Sequence, residues 1–275
     1  MGAANASTLD NHYIPLAIPD TTTYPGSDYY EIELREYEHR FHSDLPPTRL
    51  RGYVQVKNGV DVTPISYFGP IIVAIKDRPV RVKFTNKLPV GAGGNLFLPA
   101  DKTVMGAGTG PLAAMNMGRD DQTCEMSPGD CYTENRTAVH LHGNNSAWIS
   151  DGTPHQWITP AGENTPYKKG VSLVNVPDMP DPGDGSMTFY YTNKQSARLL
   201  WYHDHAYGLT RLNVYAGEAA GYAILDDIEY DMIAGTNTTG INPENHKVLP
   251  DYGIPLVLQD KTFVDANTIA AQDPT

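Results

Sequence analysis

Short segments of alternating apolar and polar residues, separated by glycine and proline, restrict most strongly what this chain can fold into. Residues 29–37 alternate in this way, and the 275-residue chain contains 25 Gly, 22 Pro and 17 Tyr. Alternation with a period of two places the apolar side chains on one face of a strand. Frequent turn residues keep such strands short. The chain is therefore expected to be all-β, folded as a sandwich or a barrel rather than from helices.

The same pattern predicts further strands and divides the chain into segments. The further strands are expected at 71–75, 80–84, 138–142, 187–191, 197–203 and 221–225. The polar, proline-punctuated residues 1–27 are expected to form an N-terminal arm, and residues 28–230 a first domain. Within that domain, glycines and prolines between 91 and 135 predict one long loop excursion. No long helical pattern and no internal repeat is found.

The C-terminal part of the sequence predicts a linker followed by the start of another domain. The chain becomes polar from residue 226, and the linker is assigned to residues 231–250. An apolar segment at 254–259 then predicts a new strand. We expect residues 251–275 to be the incomplete beginning of a second domain.

Charge and hydropathy argue against nucleic acid and membrane as partners. The net charge is −12 and Lys and Arg do not cluster, which argues against a nucleic-acid-binding protein. No run of 18 apolar residues is present, so no membrane span is predicted.

The cellular compartment stays open. The residues after Met1 contain neither a basic nor an apolar segment of the kind found in signal peptides. A disulfide between Cys124 and Cys131 would indicate an oxidising compartment and therefore an extracytoplasmic or secreted protein. Two free thiols are the alternative that the sequence leaves open.

Two His-x-His pairs, His140-Leu141-His142 and His203-Asp204-His205, carry the chemistry of this sequence. Residues i and i+2 of a strand point to the same face, so each pair aims two imidazoles at one place. With nine histidines in the chain, composition alone would give only about 0.3 such pairs. If the two strands are neighbours, four imidazoles converge, and imidazole suits copper, zinc, iron and nickel.

The residues around the pairs support a metal site. Gly143 directly follows the first pair and allows close approach of the backbone. Trp201 and Tyr202 precede the second pair and could shield it from water. Asp151, followed by Gly152, is in reach as a proton-transferring carboxylate. From the pattern alone, Asp151 and Gly152 fit an ordinary turn better.

The sequence around these pairs resembles the multicopper oxidase family, and in particular the branch of bacterial spore-coat laccase, bilirubin oxidase and phenoxazinone synthase. The resemblance covers roughly residues 28–265 and is weakest at 91–135. The segments that carry it are residues 44–50 (DLPPTRL), 137–143 (TAVHLHG), 200–217 (LWYHDHAYGLTRLNVYAG) and 254–261 (IPLVLQDK).

This resemblance implies a cupredoxin-like Greek-key β-sandwich, the first of three cupredoxin domains. It further implies half of a trinuclear copper cluster that reduces dioxygen to water. By motif, His140 would bind the type 2 copper, His142 and His203 one type 3 copper, and His205 the other. Asp151 falls at the family's acidic position, where it would help to deliver protons to oxygen.

The family also needs two more histidine motifs, one of them His-Cys-His for the type 1 copper that takes electrons from the substrate. Cys124 and Cys131 have no histidine neighbours. We therefore expect this chain to be the N-terminal part of a laccase-like oxidoreductase, incomplete by itself. A second polypeptide or a cleaved C-terminal segment would supply the missing motifs and dock across the histidine face.

The reductant of the oxidase would be a small aromatic compound or a metal ion, oxidised one electron at a time.

Two other function classes stay open. One alternative is a mononuclear zinc or iron enzyme that uses the same histidines. The other is a copper-binding module without turnover.

Overall fold

The strands of this protein form two packed sheets, as seen in a computed structural model that describes residues 14–102, 104–108, 110, 130–250, 256–265 and 267–272. The strands are β1 (Asp28–His39), β2 (Thr48–Lys57), β3 (Val60–Asp61), β4 (Ile72–Ile75), β5 (Val80–Asn86), β6 (Val139–His142), β7 (Ser186–Tyr191), β8 (Arg198–Asp204) and β9 (Ala219–Leu225). The α-helices are α1 (Thr210–Ala216), α2 (Asp227–Ala234) and α3 (Ile269–Gln272), and 3₁₀ turns lie at Gly91–Gly94 and Trp148–Ser150.

One sheet has the strand order β3-β2-β1-β5-β7 and the other β4-β9-β8-β6. Most pairs are antiparallel, but β1 pairs with β5 and β4 pairs with β9 in parallel. Between β3 and β8 the chain alternates from one sheet to the other, as in a Greek-key sandwich. The expectation of an all-β, cupredoxin-like sandwich is confirmed.

The core lies between the sheets and follows the period-two pattern of the sequence. Alternate residues of β1, namely Tyr30, Ile32 and Leu34, are buried against side chains of the opposite sheet. Tyr53 of β2 stacks on Tyr202 of β8, with 5.1 Å between ring centroids. This aromatic contact joins the two sheets directly behind the second His-x-His pair.

Several elements differ from the sequence expectations. Strand β2 is not in the predicted set, although it is buried along most of its length. Residues 227–234, expected to be polar and irregular, form helix α2, because the Asp226 side chain accepts the Glu229 N–H at 2.8 Å and caps the helix. The strand expected at 254–259 is not formed by its described residues 256–259, which lack a pairing strand and are exposed.

The described parts of the 91–135 excursion are attached to the sandwich. Arg51 donates to the Gly94 carbonyl at 2.7 Å, and the Glu134 carboxylate accepts the Leu96 N–H at 2.9 Å. Cys131 is disulfide-bonded; Cys124, the other cysteine of the chain, lies outside the described residues, as do residues 111–129. No helix among the described residues has the length and apolar character needed to cross a bilayer.

Candidate metal centre

The four histidines of the two His-x-His pairs lie on neighbouring strands. Strand β6 pairs antiparallel with β8, and His140 lies opposite His203 in the register. The alternate residues Val139 and Leu141 point into the core, so His140 and His142 occupy the other face of the sheet. His203 shares that face with them, and His205 follows directly after the end of β8.

The imidazole rings converge, as the sequence predicts. The His140 ring centroid lies 5.5 Å from that of His142, 5.5 Å from that of His203 and 4.8 Å from that of His205. One ligand nitrogen each from His140, His142 and His203 lies within 4.8 Å of the others. His205 stacks on His140 at the side of this trio. The site therefore consists of the trio and of the adjacent stacked pair His140 and His205, with His140 common to both.

Backbone carbonyls fix the protonation of three of the rings. The Nδ1–H of His140 donates to the Asp151 carbonyl at 2.5 Å, that of His203 to the Asp204 carbonyl at 2.6 Å, and that of His205 to the Gly152 carbonyl at 3.1 Å. A carbonyl oxygen only accepts, so Nδ1 must carry a proton, and in the neutral ring Nε2 then carries the lone pair. Metal-binding histidines are oriented in this way.

The fourth histidine presents its other nitrogen. Nδ1 of His142 lies 3.3 Å from Nε2 of His203. Two nitrogen ligands at about 2.0 Å from one metal ion, with a roughly tetrahedral angle between them, are about 3.3 Å apart. The spacing of His142 and His203 therefore fits a shared metal ion.

Burial keeps the central histidine neutral. It lowers the pKa of His203 from its ordinary 6.5 to about 4, and the neighbouring His140 and His205 act in the same direction. Burial, followed by His140, also lowers the pKa of His205. Both rings are therefore uncharged near pH 7, the form in which imidazole binds a metal.

Asp151 lies on the Nδ1 side of the His140 ring, away from Nε2. Its Oδ2 is 3.8 Å from Nδ1 of His140, the ring nitrogen already bonded to its own carbonyl. Its side chain is 37% exposed. This carboxylate is adjacent to the centre and open to water, and it does not share the side of the ring that carries the lone pair.

Two glycines shape the loop that carries Asp151. Gly152 has φ +72°, and a Cβ there would lie 1.8 Å from the Val139 carbonyl oxygen. Only glycine lets this loop reach β6 closely enough for the Gly152 carbonyl to accept from His205. Gly143 has φ +84°, which explains a glycine directly after the first pair.

Of the two aromatic residues expected to shield the site, one does and one does not. Trp201 stacks on His203 with 4.0 Å between ring centroids and on His142 with 5.4 Å. Tyr202 points to the opposite face, where its hydroxyl donates to the Pro70 carbonyl at 2.6 Å. The alternation of β8 is the reason, because neighbours on a strand face opposite sides.

One polar residue close to the centre was not singled out from the sequence. Asp204, between His203 and His205, is fully buried, and burial raises its pKa above the ordinary value against the opposing hydrogen bonds from Ala138 and Asn213. A carboxylate at a core-facing strand position was the signal that could have identified it.

Comparison with known sequences points to one group of proteins. The chain is 33% identical over 261 residues to a laccase of Bacillus subtilis (strain 168), covering 93% of this chain and 39% of the relative. It is 34% identical to a laccase of Bacillus stratosphericus, covering 93% of this chain and 38% of the relative. It is 30% identical to multicopper oxidase LPR2 of Arabidopsis thaliana over 67% of this chain and 24% of that protein. The chain thus spans about two fifths of the two laccases. No profile of a known protein family matches it.

Among solved structures, a laccase from Pediococcus acidilactici aligns over 80% of this chain and 30% of its own, with 20% identity and a TM-score of 0.47. A laccase-like multicopper oxidase from Ochrobactrum sp. aligns over 81% of this chain and 31% of its own, with 17% identity and a TM-score of 0.44.

Proposed function

The chain belongs to the multicopper oxidase family, and we propose that His140, His142, His203 and His205 are its half of a trinuclear copper cluster that reduces dioxygen. The observation that carries the proposal is the convergence of these four rings, three of them with Nδ1 against a backbone carbonyl and the fourth with Nδ1 beside His203. Family membership makes copper the metal expected at such a nitrogen-rich site.

The division of the ligands follows the resemblance and is supported by the distances. His142 and His203 would hold one type 3 copper, consistent with the 3.3 Å between their facing nitrogens. His205 would hold the other type 3 copper, and His140 the type 2 copper. The centroids of His140 and His205 lie 4.8 Å apart, so ions bound to the two rings would be neighbours.

The remaining ligands would come from protein outside these 275 residues. Four histidines cannot surround three copper ions with the coordination that imidazole sites usually have. The side of the sheet that carries the histidines also exposes apolar surface, since Leu199 is 58% and Trp201 39% exposed. We infer that a segment with the missing histidine motifs and His-Cys-His, on a separate polypeptide or a cleaved piece of the same one, covers this surface.

When bound, copper would supply the electron transfers by which dioxygen is converted to two molecules of water with four electrons and four protons. The electrons would arrive singly from a small aromatic or metal-ion reductant at a type 1 copper outside this chain. The chain itself orients the ligands and supplies a proton route. Asp151, whose side chain is 37% exposed and lies beside His140, would pass protons from water towards the centre.

The geometry favours this function over a mononuclear iron enzyme. A two-histidine, one-carboxylate site needs the carboxylate among the ligand atoms. The Asp151 carboxylate instead lies near the protonated Nδ1 of His140. Among the described residues, the only grouping of three potential ligands is formed by His140, His142 and His203.

The test is dioxygen uptake by the copper-loaded full-length protein with a phenolic reductant. His140→Ala is expected to abolish uptake and to lower the copper content. His246→Ala, at an exposed histidine outside the centre, serves as the matched control and is expected to leave both unchanged. Copper content and oxygen uptake that are the same in His140→Ala as in the unmodified protein would refute the proposal. Copper binding without uptake would favour a copper-binding module.

A further inference from the structure

The residue between the two histidines of the second pair is a carboxylate inside the protein. Asp204 follows Tyr202 on the core face of β8 and is 0% exposed. The imidazoles of His203 and His205 lie on the other side of the strand. Asp204 therefore cannot bind the metal directly, yet a buried carboxylate is costly unless its hydrogen bonds are satisfied.

Four hydrogen-bonding contacts satisfy it, and they come from three separate pieces of chain. Oδ1 accepts from the Ala138 N–H at 2.9 Å and lies 3.1 Å from Thr137 Oγ1, whose single proton it shares with Oε2 of the buried Glu218 at 3.0 Å. Oδ2 accepts from the Ala206 N–H at 3.1 Å and from Asn213 Nδ2 at 3.0 Å. The carboxylate thus joins the start of β6, the end of the second pair, and helix α1.

These contacts lie beside a short edge strand. Strand β6 has four residues and forms an edge of its sheet, with β8 as its one neighbour. Beyond it the pairing continues through the His205 N–H, which donates to the Ala138 carbonyl at 2.7 Å. The Asp204 carboxylate holds the backbone two residues before His140 and one residue after His205. A shift at either point would change the distance between the two histidine pairs.

The amide of Asn213 is itself fixed from both sides. Its Oδ1 accepts from Nη1 of Arg51 at 3.0 Å, so its Nδ2 must face Asp204 Oδ2 and the Arg136 carbonyl. Arg51 and Asn213 are both fully buried. The contacts that hold the two histidine pairs therefore continue through Asn213 and Arg51 into the buried space between β2 and α1.

We propose that Asp204 is a positioning residue of the metal centre, which sets the spacing of the two His-x-His pairs through the Ala138 and Ala206 amides. The inference rests on the proposed function only in taking copper as the bound metal. Residues that orient ligands from behind typically change metal affinity by roughly 10–100-fold when they are replaced.

Asp204→Asn is the informative variant, since it keeps the size of the side chain. Each carboxylate oxygen accepts one backbone N–H, so either orientation of the new amide places its NH₂ group against Ala138 or Ala206. Asp231→Asn is the matched control. Asp231 is also a buried carboxylate that accepts several hydrogen bonds, among them those from the Thr238 and Thr239 amides, but its partners lie within its own loop at 231–242.

The measurement is copper retention by the full-length protein against a competing chelator, together with the electron paramagnetic resonance spectrum of the bound Cu(II). Asp204→Asn is expected to weaken copper binding at least tenfold and to change the spectrum. Asp231→Asn is expected to lose stability while its copper affinity and spectrum stay unchanged. Should Asp204→Asn fail to fold, Thr137→Val, which removes the hydroxyl that contacts both Asp204 and Glu218, is expected to give a smaller change of the same kind.

The inference is overturned if the folded variants bind copper with the affinity and spectrum of the unmodified protein, or if Asp231→Asn shifts them equally. Its failure is distinct from failure of the proposed function, for which the unmodified protein would bind no copper or His140→Ala would bind it normally.

Discussion

Gly152 shows how a single residue without a side chain fixes the metal centre. Its backbone has φ +72° and approaches the Val139 carbonyl so closely that a Cβ would lie 1.8 Å from that oxygen. Two histidines depend on this approach, because His205 donates to the Gly152 carbonyl and His140 to the preceding carbonyl of Asp151.

Gly152→Ala is therefore expected to lower both stability and copper content. The left-handed backbone alone costs roughly 1–2 kcal/mol for a residue with a Cβ, and displacement of the loop adds to that. Gly162→Ala is the control, because Gly162 has φ +80° but nothing within 4 Å of a new Cβ. Denaturant unfolding and metal analysis of both variants are the measurements. An equal loss in the two would show that the close approach to β6 does not matter.

His203 predicts a pH dependence of the metal-free protein. Its folded pKa is about 4 and its ordinary value 6.5. As the pH falls from about 6.5 towards 4, the unfolded chain takes up a proton that the folded protein does not, so the free energy of unfolding decreases. The stabilisation is present above pH 6.5 and is lost through the folded pKa.

His203→Gln should remove this contribution, which is on the order of 3 kcal/mol for a pKa lowered from 6.5 to about 4. The measurement is urea unfolding of the chelator-treated protein at pH 7.5 and pH 4.5, compared between His203→Gln and the unmodified protein. Identical pH dependences would mean that His203 is not held neutral by burial.

At the scale of elements, β6 and β8 were predicted because each carries a clear signal. Residues of β8 alternate between the core and the side of the sheet that carries the histidines. The His-x-His spacing shows which residues belong to the histidine side. The strand order was not predictable from the sequence, because pairing between β6 and β8 joins residues about 60 positions apart and depends on crossovers between the sheets.

Strand β2 and helix α2 show why other elements were missed. In β2, Arg51 and Gln55 are buried, so polar residues occupy positions that the period-two pattern assigns to solvent. Helix α2 has eight residues, which is too few for a helical period to be evident. Of the centre, the four histidines and Asp151 were predicted from motif and resemblance, whereas the role of Asp204 depends on contacts across the fold.

Arg51 connects three elements and predicts a large loss on removal. Its guanidinium is fully buried and donates to the carbonyls of Gly94 and Glu134 and to Asn213. Arg51→Met leaves these acceptors without donors and should cost about 3–5 kcal/mol in the free energy of unfolding.

Arg49→Met is the matched control on the same strand. Arg49 is 47% exposed and pairs with Glu36, whose side chain is 13% exposed, so loss of this largely solvated guanidinium should cost about 0–1 kcal/mol. The comparison requires urea unfolding of both variants. Similar values for the two would contradict the view that the buried guanidinium joins β2, the 91–135 excursion and α1.

At the scale of the whole molecule, the chain spans 39% of the length of the Bacillus subtilis laccase that it resembles. The exposed Leu199 and Trp201 lie on the same face as the histidines. We expect a further polypeptide segment to cover this face and complete the centre.

Mass spectrometry of the native protein after denaturation tests this expectation. It should reveal sequence beyond these 275 residues, either as a second polypeptide or as a longer chain, that includes His-Cys-His. A single species of 30.1 kDa with full oxidase activity would contradict it.

The most direct test of the central claim is anomalous X-ray diffraction from crystals of the full-length protein, recorded on both sides of the copper absorption edge. We predict copper peaks within bonding distance of Nε2 of His140, His203 and His205, with Nδ1 of His142 sharing the ion of His203. Absence of copper at these nitrogens, or a single ion with the anomalous signal of zinc or iron, would contradict it.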